Sequence, residues 1–257
     1  MASAANPSHS GDSEFRFFRI MAWIMSAIIV AGFVLNLAMG RSTFAVPWQY
    51  HVHGVVFFCW VAIFLAQNTF IAGGNIAMHK RLGRLAYVWI PLMVVMGFVI
   101  MLTSMRRNGG PFFFDQNEFM ISNTLQLLIF GGLAFASLKA RRYSGWHRRL
   151  MFCAMAILTG PGLGRLLPLP LLIPNAWRIM IVVTMIFPLV GMIADYRRNG
   201  KIHPAWLWGV GLVLGGQLVA DLIAYSPLGV SLTEQVLAGS PGADRPMEAF
   251  LPPDFSM

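Results

Sequence analysis

Six histidines punctuate this 257-residue chain, and five of them stand at the edges of apolar runs. Three open such runs beside basic or proline residues: His79-Lys80-Arg81-Leu82-Gly83-Arg84, His147-Arg148-Arg149-Leu150-Met151 and His203-Pro204-Ala205-Trp206. The first two share a pattern of histidine, basic residue, arginine and leucine, which suggests a weak repeat of a helix pair. Neutral imidazole is the commonest protein ligand for haem and metal centres, so His79 and His147 form the leading candidate cofactor-binding pair. The competing reading is plain: histidine beside two cations at a helix start is an ordinary interfacial anchor, and neighbouring positive charge opposes a bound metal ion. His51 and His53 open another run. Two positions apart on a helix they point about 200° from one another, so only one of them meets a given ligand, and His53 is the deeper. His53, Trp60 and Gln67 recur at seven-residue spacing on one face, which reads as a packing seam or a face turned to a ligand.

Arg165 follows His147, and Asp221 follows His203, by the same interval along the sequence. Each separation spans about 27 Å of helix, which puts the two charges at equal depth near the opposite end of the bundle. A buried arginine and aspartate at one depth on neighbouring helices are expected to pair. With His53 and Gln67 they define a candidate ligand pocket. The stretch Gly160-Pro161-Gly162-Leu163-Gly164-Arg165, followed by Pro168 and Pro170, is too rich in glycine and proline for a regular helix, and a broken helix in a membrane protein often lines a site. Asn123 and Gln126 share a face and read as packing groups. Cys59 and Cys153 sit inside apolar runs as small buried hydrophobes. No nucleotide-binding loop, Ser-His-Asp order, Cys-x-x-Cys or His-Glu-x-x-His motif is present, so no catalytic residues are assigned and an enzyme with covalent chemistry of its own is not expected.

The elements that must position these residues follow from composition. Hydrophobic residues make up 57% of the chain and charged residues 11%, against about 25% charged in soluble domains. The net charge of +9 does not indicate nucleic acid, because the basic residues fall in short clusters between apolar runs. Seven runs approach the ~20 residues needed to cross a bilayer: 20–39, 52–72, 85–105, 119–138, 150–167, 179–194 and 205–225. The expectation is an all-α, seven-helix transmembrane bundle over 17–225, preceded by a loose polar segment 1–16 and followed by a tail 226–257. That tail is expected to hold a short helix near 232–238 and otherwise to be disordered. The first run is longer than a signal-peptide core and is expected to be retained. With seven spans, thirteen Lys and Arg fall on the side of the N-terminus and six on the other. The positive-inside rule then puts the N-terminus in the cytoplasm and the C-terminus outside.

His53, Trp60, Gln67 and His79-Lys80-Arg81-Leu82-Gly83, with His147-Arg148-Arg149-Leu150-Met151, Gly164-Arg165 and Asp195…His203-Pro204-Ala205-Trp206, resemble a group of uncharacterised bacterial multi-pass membrane proteins. The resemblance covers roughly residues 50–210 and implies a bacterial inner-membrane location, with no activity to carry over. A more distant similarity is to the transmembrane di-haem cytochromes b, which hold haem between paired histidines on four consecutive helices. That similarity implies haem b between His79 and His147, and at most one haem, because the fourth span has no histidine. Three functional expectations follow: a ligand- or lipid-binding protein using the pocket of His53, Arg165, Asp221 and Gln67; a haem- or metal-binding redox protein; and an accessory subunit of a membrane complex. The lipid bilayer is the expected environment in each, and a complex partner or a homo-oligomer is compatible with all three.

Overall fold

The computed structural model of the protein describes the backbone of residues 7–253 and side chains from residue 13 onward. The described chain is about 80% helical and contains no strand. Six helical segments are long and apolar enough to cross a bilayer: Ser13–Ala38, Trp48–Ala72, Ala86–Asn108, Gln116–Arg142, Ala176–Asn199 and Pro204–Ala224. They indicate a multi-pass membrane protein, and their outward faces are apolar. Leu222, Leu218, Val88 and Trp208 are between 63% and 76% exposed, as lipid-facing side chains are.

The helices are α1 Pro7–Ala38, α2 Trp48–Ala72, α3 Ile76–Gly83, α4 Ala86–Asn108, α5 Gln116–Lys139, α6 Ser144–Leu158, α7 Gly160–Leu166, α8 Ala176–Thr184, α9 Ile186–Asn199, α10 Pro204–Ala224 and α11 Pro227–Leu237. α5 is the central post, packed against α4, α6 and α10, while α1 lies against α2 and α7. The helical N-terminal stretch differs from the expected loose segment. α1 already runs from Pro7, and Glu14 binds Arg148 (3.0 Å) and Arg149 (2.7 Å) of α6.

Two helices are broken in one layer. The expected span 150–167 is divided at Thr159 into α6 and α7, and neither half is long enough by itself to cross a bilayer. Contrary to expectation, Gly160–Leu166 is helical. Pro161 takes the first turn of α7, where its missing N–H breaks no helical hydrogen bond. The glycines serve a close crossing instead. A Cβ on Gly162 would come 2.7 Å from the Ile29 Cα, and one on Gly32 would run into the Gly162 carbonyl. α8 and α9 part at Met185, three residues before Pro188, whose ring cannot follow a regular turn. At each break a threonine hydroxyl donates to the carbonyl three residues back, Thr159 to Ala156 and Thr184 to Ile181, both at 2.6 Å. The two breaks face each other, since a Cβ on Gly160 would lie 3.7 Å from the Thr184 Cγ2.

The expected disordered tail is an ordered strap through residue 253. Gly109 and Gly110, both with positive φ, turn the chain so that backbone carbonyls of residues 109–112 and 114 converge on the Arg245 guanidinium. Gln116 donates to the Gly242 carbonyl (2.9 Å), and Asp115 accepts from the Ala249 N–H (2.7 Å). A tail without an apolar run is held by backbone acceptors that composition does not reveal.

Candidate functional site

The structure brings His79 and His147 together. α3 is a short helix capped by Asn75, whose Oδ1 accepts from the Met78 N–H at 3.0 Å, and it presents His79 beside the end of α2. His147 stands on the first turn of α6, against the last turns of α5. The ring centres are 6.2 Å apart and the planes stand at 86°.

Each ring is oriented through Nδ1. His79 Nδ1 faces the Gln67 carbonyl at 3.3 Å, and His147 Nδ1 faces the Ser137 carbonyl at 2.9 Å. The fully buried Ser137 hydroxyl lies 2.9 Å from His147 Nδ1 and donates to the His147 carbonyl at 2.7 Å. A carbonyl only accepts, so both Nδ1 atoms carry the proton and both Nε2 atoms present a lone pair. This is the orientation second-shell carbonyls impose on metal-ligating histidines.

The spacing has a meaning. Ring centres 6.2 Å apart are close enough that the two imidazoles could hold one metal between them. Lys80 and Arg81 follow His79 in the last turn of α3 and Arg84 caps that helix, while Arg141 donates to the Tyr87 hydroxyl at 3.1 Å.

His203 is not part of the pair. It caps α10, its Nδ1 accepting from the Ala205 N–H at 3.1 Å, and its ring lies edge-on to Trp146 at 5.5 Å.

The candidate pocket of His53, Arg165, Asp221 and Gln67 does not assemble. Asp221 pairs with Arg178 (2.9 Å) and accepts from Gln217 (2.8 Å). α10 packs on α5 and α6, and Arg165 is carried beyond them on α7. Equal depth therefore did not mean a shared side of the bundle. Gln67 belongs to the other end, with its carbonyl on His79. His53 and Arg165 do stay together. They interact electrostatically, and the Arg165 guanidinium carbon lies 3.9 Å over the Phe33 ring.

Sequence reading missed two polar assemblies. At the His79 end, Arg149 grips both oxygens of Asp195 at 2.7 Å, and Trp206 donates to the same carboxylate at 2.8 Å. At the other end, Glu118 (1% exposed) lies 3.4 Å from Arg178, while Gln217 joins Ser122, Trp177 and Asp221. Glu118 sits in the first turn of α5, where a helix N-terminus favours negative charge, and that position was the available signal. Among the described residues no group of three or more His, Cys, Asp or Glu is arranged to hold a metal ion. Comparison with family models, with curated proteins and with solved structures returns no match for this chain.

Proposed function

We propose that the chain is a redox protein of the bacterial inner membrane that holds one b-type haem between His79 and His147. The observation that carries this reading is the pair of imidazoles, oriented through Nδ1 by backbone carbonyls, 6.2 Å apart. Two histidines of this chain could hold the group: His79 and His147 would offer their Nε2 atoms, and the basic residues Lys80 and Arg81 of α3, with Arg84 beyond them, would be available to its carboxylates. A bound haem would supply one-electron chemistry. The protein's own part is to fix the ring orientation through Ser137 and Gln67 and to hold the site at the membrane edge.

The topology proposed with it has seven spans, α6 and α7 together forming the fifth. Two features support that count. The Glu14–Arg149–Asp195 network joins the starts of α1 and α6 to the end of α9, and Arg165 meets Phe33 near the far end of α1. The N-terminus is then cytoplasmic and the C-terminus external, because the thirteen-to-six distribution of Lys and Arg follows the positive-inside rule.

The test is a visible absorption spectrum of detergent-purified protein, air-oxidised and dithionite-reduced, with metal analysis of the same sample. A Soret band with sharp reduced bands is expected, lost in both His79→Ala and His147→Ala but retained in His203→Ala. A flat spectrum after expression with added haem precursor, in folded protein, sinks the proposal.

A further inference from the structure

The end of the bundle that holds His79 carries a surface of one sign. Lys80 and Arg81 lie in the last turn of α3, Arg84 caps that helix, and Lys139, Arg141 and Arg142 stand at the turn between α5 and α6; all six are exposed. Two contacts join the two segments into one patch. The His79 and His147 rings are 6.2 Å apart, and Arg141 reaches across to the Tyr87 hydroxyl at 3.1 Å, in the first turn of α4 just after Arg84. Residues 72–86 and 139–147 contain no Asp or Glu. The described carboxylates at this end, Glu14 and Asp195, are held by Arg148, Arg149 and Arg198 instead. Among the described residues no ion pair includes any of the six cations.

The patch lies where three candidate spans end, at Ala72, Ala86 and Arg142. α3 has the form of an interfacial helix. It buries none of its eight residues, its first half exposes Ile76 (52%) and Met78 (39%), and its last turn carries Lys80 and Arg81. Leu85 and Val88, at the start of α4, are exposed as well, so apolar surface and cations meet at this level. Tyr87 and Tyr143 are exposed there too, at the depth where amphipathic rings meet headgroups. A soluble acidic partner would use the charges but not the apolar side chains, whereas a leaflet uses both. A leaflet also presents many phosphates at one depth, so the cations need a common level and not a common focus.

We propose that α3 and the α5–α6 turn form a docking surface for anionic phospholipid headgroups, with Ile76 and Met78 at the acyl boundary and the six cations facing the phosphates. A Lys or Arg near an anionic surface strengthens binding by about fivefold. The surface does not depend on haem, and Lys139 and Arg142 test it without touching His79 or His147.

The experiment is native mass spectrometry of the purified full chain with phosphatidylglycerol or phosphatidylcholine. Wild-type protein is expected to retain phosphatidylglycerol at least about tenfold better than phosphatidylcholine. Lys139→Gln with Arg142→Gln is expected to cut that preference at least about fivefold, and so is Lys80→Gln with Arg81→Gln. Arg41→Gln with Arg107→Gln, exposed cations of the opposite end, leaves it unchanged. Equal retention of the two lipids by wild-type protein overturns the proposal and leaves the charges to set orientation alone. A preference that survives both pairs of substitutions at the His79 end overturns it as well. Binding of poly-glutamate by wild-type protein that shows no lipid preference overturns it in favour of an acidic protein partner. Should either pair fail to fold, amide exchange of the wild-type chain in nanodiscs decides: slower exchange over residues 76–84 in phosphatidylglycerol than in phosphatidylcholine supports the surface, and equal exchange overturns it.

Discussion

Four indoles set two regions of this molecule against each other. Trp177 on α8 and Trp206 on α10 donate to Gln217 and Asp195 at 2.9 and 2.8 Å, and Trp89 on α4 donates to the Val56 carbonyl at 2.9 Å. Trp60 on α2 is 2% exposed, and its indole N–H has no acceptor. The contrast extends along the helices. On the α5–α10 side Gln217 joins Ser122 and Asp221 across helices, although Asn117, Glu118 and Gln126 of α5 each bury an oxygen without a hydrogen bond. On α2, Gln49, His53, Trp60 and Gln67 each bury an unpartnered polar atom, at spacings of four, seven and seven. Ser26 on α1 adds another, as far from the end of its helix as Trp60 is from the start of α2. An unmet polar group in an apolar surrounding costs about 1–3 kcal/mol or more. The first region is thus tied across helices by its side chains, and these α1 and α2 atoms are not.

The comparison can be broken in several ways, beginning with the strongest. Arg149→Ala strips the buried Asp195 carboxylate of both its short guanidinium contacts, leaving Arg198 at 4.0 Å, and is expected to cost about 3–5 kcal/mol. Thermal unfolding in detergent reads this, and an unchanged midpoint would remove the self-sufficient half of the contrast. Ser137→Ala removes the hydroxyl that steadies His147 and is expected to weaken haem retention by about tenfold, at the lower end for second-shell changes, with little effect on folding. Haem loss to excess apomyoglobin measures it.

Two indole replacements test the contrast most directly. Trp206→Phe removes one of the donors to the buried Asp195 and is expected to cost about 1–3 kcal/mol, whereas Trp60→Phe removes an N–H that has no acceptor and is expected to cost less. Equal losses in both would mean that the Trp60 N–H is satisfied after all.

Much of this architecture was legible in the residues. Hydropathy located six of the spans, because an apolar run of bilayer length has few alternatives to a helix. His79 and His147 were recognisable as neighbours because matched motifs at two helix starts put both at the same end. The pairing of Asp221 was not legible. Helical rise gives depth along a helix but no direction around the bundle, and Arg178 and Arg165 both lay near the right level. Gly160-Pro161-Gly162 misled for a related reason. Composition read it as a helix breaker, but proline at a first turn and glycine at a close crossing are both compatible with helix. The strap was invisible because its acceptors are backbone carbonyls.

That strap is also a ruler. The eleven-residue α11 and the short segment up to Arg245 must together deliver one guanidinium to the carbonyls of residues 109–114, and a Cβ on Gly242 would collide with the Met105 carbonyl on the way. The distance between the end of α10 and the loop after α4 is therefore written into the residue count from 225 to 245. An insertion or deletion of a single residue there would slide Arg245 out of its cage. Sequence drift in this part of the chain is fixed in number, and at Gly229 and Gly242 in letter as well.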